Sequence, residues 1–239
     1  IAKKRRIKAG TSQALLTGKQ RLPGFEVTTG YKQTGVGELP KDWDVHSLQS
    51  FSKVTSGKRL PLGQSLTDKQ TPHPYIRVKD MMPGRIDQSE LKYVPTEVFP
   101  WIKQYRIYKD DLYISVAGSL GIVGPVPENL DGANLTENAN RISEIKESKE
   151  FLLYILLSPI IQNIIDAIQT VGAQPKLALG RIREFPIPLP PTKAEQSAIA
   201  AILSDMDTEL DALESKLSKA RQIKQGMMQE LLTGKTRLV

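Results

Sequence analysis

From Ile199 onward the apolar residues step along the chain by four and three. They are Ile199, Leu203, Met206, Leu210, Leu213, Leu217 and Ala220, then Met227 and Leu231. This is a heptad seam, broken where Lys224 falls on it, and it predicts a long helix that meets a partner helix along that seam. Pro190-Pro191 precede it, Thr192 is placed to cap it, and Glu195 stands three residues on as the capping-box partner. The stop is expected after Leu232 at Thr233-Gly234, with the glycine just past the cap. At 1.5 Å per residue such a helix is roughly 60 Å long, which suits a strut or coiled coil better than a core element.

The body before it reads as mixed. Tyr75–Val78, Leu112–Ala117 and Asn140–Ile145 alternate or run apolar, as strands do. In Phe185-Pro-Ile-Pro-Leu-Pro190 each proline forces its predecessor away from helix, so the segment is extended. Lys149–Thr170 is apolar nearly all round and predicts a buried helix that Pro159 restarts or kinks. Glycines and prolines crowd the joins, so short strands and long loops are expected. The fold class is α+β: a globular body of short strands and loops around a buried helix, then a long helix packed antiparallel.

An internal repeat fixes the partner of that helix. Residues 3–22 align with 219–238 at an offset of 216, with thirteen of twenty positions identical. Asp205, Asp207, Glu209, Asp211 and Glu214 fill the first half of the long helix; Lys216, Lys219, Arg221 and Lys224 fill the second. Opposite charges meet if the helices run antiparallel. Lys3–Lys8 should therefore be the end of an upstream helix lying against 205–214. Gly10 and Gly226 interrupt these helices, which either close approach of two backbones or plain tolerance of glycine would explain.

Charge and chemistry narrow the function. The net charge is +7, which a nucleic-acid partner would suit. Residues 1–22 carry all of that excess, and the remainder balances at 26 basic against 26 acidic. Within the remainder, 53–109 hold eleven basic and five acidic residues, so one stretch of the body can face phosphate. There are no cysteines, in keeping with a reducing cytoplasm, and no run of about 18 apolar residues spans a membrane. No catalytic motif survives inspection. Gly234-Lys235-Thr236 lacks the earlier glycine of a phosphate loop, because position 229 is Gln. Gly118–Gly124 has the wrong spacing for a dinucleotide. His46 and His73 form neither a metal set nor a triad, and Asp110-Asp111 reads as a turn before a strand. No metal, cofactor or enzymatic activity is expected.

Four segments carry a family resemblance. Glu184–Ile199 joins a proline-rich strand through a Glu-Gln pair to a helix, and Gln225–Lys235 ends that helix. Leu39-Pro-Lys-Asp-Trp43 and Asp111–Gly124 add an entry motif and a strand–glycine–strand element. In order and spacing these resemble a type I restriction–modification DNA specificity subunit. The resemblance implies three parts: 1–22 as the end of a conserved upstream helix, 23–191 as a target-recognition domain, and 192–239 as a conserved spacer helix. It implies a non-catalytic, cytoplasmic protein that reads one half of a split site in double-stranded DNA. Methyltransferase and restriction subunits would be its partners, with a homodimer through the long helices as a further option. The recognition residues expected are Lys58, Arg59 and Gln64 in one loop, Arg77 and Lys79 after a strand, Ser119 between glycines, and Gln174 and Lys176 after the buried helix. Trp101 and Tyr105 are expected in the core. The rival reading is a non-enzymatic coiled-coil interaction protein that does not bind DNA.

Overall fold

The computed structural model describes residues 1–26, 29–169 and 176–233. The chain opens with α1 (Ala2–Leu16), a hairpin of β1 (Tyr31–Thr34) and β2 (Gly37–Pro40), then β3 (Asp44–Ser47) and β4 (Lys53–Ser56). Next come β5 (Pro74–Ile76), the hairpin of β6 (Met81–Met82) and β7 (Arg85–Ile86), β8 (Lys92–Tyr93), the single turn α2 (Phe99–Ile102) and β9 (Arg106–Ile107). The centre is β10 (Leu112–Ser115), β11 (Val123–Pro125), β12 (Ala133–Leu135) and β13 (Ala139–Ser143). The end is α3 (Lys149–Leu157), α4 (Pro159–Gln169), α5 (Leu179–Arg183), β14 (Pro186–Leu189) and α6 (Lys193–Leu232).

Eight of the strands form two four-stranded sheets, ordered β11-β10-β13-β4 and β8-β5-β12-β9, and β14 pairs with β3 beside the two hairpins. The first is antiparallel throughout, whereas β5 and β12 pair parallel in the second. Tyr113 ties the first sheet to the β6–β7 hairpin, its hydroxyl donating toward the Met82 and Arg85 carbonyls. On the other face of the first sheet lies the main core, where Trp43 meets Phe151 edge-on at 6.4 Å. The expected buried helix is there as α3 and α4, turned by 50° at Ser158, since Pro159 has no N–H to continue the first. The strand expected over Tyr75–Val78 ends early at Ile76. The Asp80 carboxylate accepts from the Arg77 backbone N–H (2.8 Å) and side chain (2.9 Å), which bends the chain into a turn. Trp101 is not in the core: it is 61% exposed, because α2 is one turn long and buries only Ile102 fully. Tyr105 packs beside the small cluster of Tyr75, Val94, Val98 and Ile102, as expected.

α6 starts as its sequence predicts, with the Thr192 hydroxyl accepting from the Glu195 N–H at 3.2 Å. The capping box is only half made. The Glu195 carboxylate turns instead to Arg21, taking its Nε at 2.7 Å and Nη2 at 3.0 Å, and Arg21 also donates to Asp42. A buried guanidinium attracts a carboxylate more strongly than a backbone amide does. Gln196 grips the other side, accepting from the Ser148 N–H (3.0 Å) and donating to Glu147 (2.9 Å). The Glu-Gln pair thus clamps the long helix to both the α1 tail and the body.

α1 lies antiparallel on the first half of α6. Lys4 pairs with Glu209 at 2.7 Å, Arg5 with Glu214 at 2.6 Å, and Lys8 with Asp207. Leu15 and Leu16 run into the core that also holds Ile199, Ala200 and Leu203. Neither Gly10 nor Gly226 is needed for this packing, since a β-carbon at either would meet nothing within 4 Å. Asp207 also accepts from the Tyr154 hydroxyl at 2.9 Å, and burial together with that carboxylate pushes the Tyr154 phenol well up. Asp211 has no ion pair among the described residues. Solvent screens pairs this exposed, so the hydroxyl contact decides the difference. Asp207→Lys is expected to lower stability by about 1–2 kcal/mol, and Asp211→Lys by less than about 0.5 kcal/mol, in urea unfolding. Equal effects would contradict the packing.

Candidate nucleic-acid interface

Sheet register brings the loops together. β10 and β4 both run antiparallel to β13, so the C-terminal ends of β4 and β10 meet the start of β13 at one edge. The parallel pair β5 and β12 ends at the same edge, where the Thr136 N–H donates to the Ile76 carbonyl at 3.1 Å. Backbone bonds then stitch the emerging loops. Gly57 N–H donates to Ala139 O (3.0 Å), Lys58 N–H to Leu135 O (2.8 Å), Val116 N–H to Asn138 O (2.7 Å) and Leu177 N–H to Val116 O (3.0 Å). A β-carbon on Gly57 would stand 2.1 Å from the Thr136 carbonyl oxygen, so only glycine fits this seam.

Most of the recognition residues expected from sequence project from this edge. Lys58 is exposed, with its ammonium 5.8 Å from the centre of the Tyr105 ring. The Tyr75 hydroxyl donates to the Lys58 carbonyl at 2.9 Å; burial pushes that phenol up to about 12, so it remains a donor. Arg59 is 75% exposed and touches Glu137 at 3.3 Å. Gln64 sits on an exposed turn closed by its own N–H to the Pro61 carbonyl, at 3.0 Å. Lys79 extends to Glu90 at 2.7 Å, with both side chains exposed. Ser119 is exposed on a turn whose glycines, Gly118 (φ +79°) and Gly121 (φ +74°), take left-handed backbone. Lys176 is exposed beside Val116. Gln174 lies outside the described residues.

Arg77 departs from the expectation. Its guanidinium is held by both Asp80 oxygens, at 2.9 and 2.7 Å, and by the Glu90 carbonyl, and it is only 18% exposed. It braces the turn that presents Lys79.

The sequence reading missed a groove beside this edge, of about 370 Å³, between β4 and β9. Lys53 and Thr55 form one wall, Gln104 and Arg106 the other, and Arg141 the floor. Its members alternate with apolar residues along short strands, and nothing local says that β9 faces β4. Asp111, expected in a turn, accepts from the Tyr108 N–H at 2.8 Å and faces Arg141 at 3.6 Å. Burial raises its carboxyl above the usual range. Among the described residues no group of acids, His and Cys could hold a metal ion, and no single helix is long and apolar enough to cross a membrane.

The seam residues Ile199, Leu203 and Leu210 are buried, and Met206 and Leu213 half-buried. Leu217, Met227 and Leu231 are exposed, with Ile223, Met228 and Leu232 beside them. Half of the seam is therefore covered by α1 and α3, and half is bare.

Comparison with known proteins places this architecture. Residues 40–222 match the family described as type I restriction modification DNA specificity domain. A Methanocaldococcus jannaschii protein, provisionally named as the MjaX type I restriction enzyme specificity subunit, is 30% identical over 87% of this chain and 50% of its own. The type I restriction enzyme EcoBI specificity subunit of Escherichia coli is 25% identical over 76% of this chain and 38% of its own. The crystal structure of the type I restriction-modification S subunit from M. genitalium superposes on 95% of this chain and 54% of that one. The TM-score is 0.62 at 16% identity, a likeness of fold. The chain thus spans about half the length of the curated relatives it matches.

Proposed function

The chain belongs to the type I restriction modification DNA specificity family, and from that premise we propose that it reads one half of a split site in duplex DNA. The observation that carries this reading is the loop edge. Polar and cationic side chains project from backbone-stitched loops on a body clamped to a helix strut. Base readout needs donors and acceptors held in fixed positions, while cations on phosphate set register. A strut of roughly 60 Å exceeds one duplex turn of about 34 Å, so it can hold two readers at a set separation. In this reading 1–22 end an upstream spacer helix, 23–191 recognise the target, and 192–239 form the second spacer helix. The bare half of the seam takes the opening of that upstream helix, or a second copy of this chain. Methyltransferase subunits dock on the helix pair, restriction subunits join them, and the chemistry belongs to those partners. The named relatives are specificity subunits, and none favours a coiled-coil protein that leaves DNA alone.

Selection of duplexes from a random pool by the protein with its methyltransferase partner tests this. A split motif should be enriched, and binding should weaken steeply with salt. Arg59→Ala and Lys79→Ala should each weaken binding roughly tenfold. No enriched motif would overturn the reading; unchanged affinity in both variants would remove those residues from the interface.

A further inference from the structure

The groove between β4 and β9 holds more positive charge than its neighbours balance. The guanidinium groups of Arg106 and Arg141 lie 5.4 and 5.8 Å from the centre of the same Tyr108 ring. Arg141 donates to the Arg106 carbonyl (2.7 Å) and to Ser143 (3.3 Å), and has Asp111 at 3.6 Å. Arg106 has no ion pair among the described residues, and its buried Nε has no hydrogen-bond partner. Among the described residues Lys53, on the opposite wall, pairs only with Glu144, and both side chains are more than half exposed. Two guanidinium groups around one ring repel each other, and a buried donor left unpaired is unfavourable. The arrangement suits an anion. Guanidinium offers a planar fork of donors that matches phosphate oxygens.

We propose that this groove is a phosphate site, in which Arg106, flanked by Lys53 and Arg141, takes a backbone phosphate of bound DNA. The proposal rests on the DNA-recognition reading above. The groove's own lining continues through Ser56 and Gly57 to the base-reading loop, with Lys58 over Tyr105 at that end. A strand whose bases meet Lys58 and Arg59 would run its backbone along the groove. Such a contact fixes register and carries no sequence information.

The test is the salt dependence of duplex binding by the protein assembled with its methyltransferase partner. Arg106→Gln should reduce the slope of log K against log salt by about one, with affinity lowered roughly five- to tenfold on selected and random duplexes alike. Arg106→Lys should keep the slope. Lys53→Gln, which removes only a solvent-exposed ion pair, should also reduce it. An unchanged slope in both neutral variants, while the wild type binds, would overturn the proposal and leave the recognition reading standing. If the wild type binds no duplex at any salt, the recognition reading falls and the DNA phosphate with it. Inorganic phosphate at constant ionic strength separates the remaining source. Thermal protection that Arg106→Gln abolishes, without any duplex binding, would assign the groove to a free anion and overturn the backbone contact.

Discussion

Arg21→Met is expected to destabilise the fold by about 3–5 kcal/mol, since it leaves two carboxylates near one another with their shared cation gone. The Arg21 side chain is 8% exposed and that of Glu195 only 1%. Burial opposes charge on Arg21, but hydrogen bonds to Asp42 and Glu195 outweigh it and hold the guanidinium firmly protonated. Burial pushes the Glu195 carboxyl up against the pull of Arg21. Removing Arg21 takes away that pull, so the folded-state value rises further above the unfolded one. A carboxyl shifted in this direction favours the fold most at low pH and progressively less as pH rises through its folded value. The deficit in urea unfolding should accordingly be largest near pH 7 and smaller near pH 5. Arg21→Met combined with Glu195→Leu should recover part of the loss, because the more deeply buried of the two carboxylates is then gone and only Asp42, 13% exposed, is left without its cation. A deficit below about 1 kcal/mol at pH 7 would mean that the clamp is solvated.

Gly57→Ala is expected to affect both stability and binding. The new methyl would stand 2.1 Å from the Thr136 oxygen and 2.4 Å from that of Leu135. Both are backbone atoms, so no side-chain rotation relieves the contact. Overpacking of this kind costs about 1–3 kcal/mol. The seam must open to relieve it, which moves Lys58 and Arg59 away from Ser119 and Lys79. Loss of motif selection by the assembled complex, with a lowered melting temperature, is the expected result. Full selection at an unchanged melting temperature would show that the loop edge does not depend on this seam.

How much of this was legible in the chain depends on the range of the interaction. The heptad steps from Ile199 and the segregated charges specify α6 and its antiparallel mate, because helix periodicity and charge pairing are written along one line. Thr192 was readable as a cap for the same reason. Glu195 was not, since its true partner, Arg21, lies 174 residues away and outcompetes the local amide. Lys58, Arg59 and Ser119 could be picked as loop residues by their glycine-rich surroundings, and Lys79 by its place after a strand. That they share an edge follows only from the register of β4, β10 and β13 and the parallel pairing of β5 with β12. Arg77 looked like its neighbours in sequence, yet Asp80 three residues on turns it inward. Trp101 was misjudged because hydrophobicity alone ignores how little a one-turn helix can cover. Arg106 and Arg141 gave no signal at all, as their meeting requires two separate sheets to face each other across Tyr108.

The stitching of the loop edge has one further consequence. Its frame is made by peptide groups, from Gly57, Lys58, Val116, Thr136 and Leu177, anchored by the buried Val116 and Leu177 side chains, whereas Lys58, Arg59, Gln64 and Ser119 are exposed. Substituting Lys58, Arg59, Gln64 or Ser119 therefore alters what is offered outward while the framework keeps its shape. Such a scaffold works like a keyboard with interchangeable keys. If these side chains read DNA as proposed, new target preferences can arise by single exchanges, without the chain having to relearn how to fold.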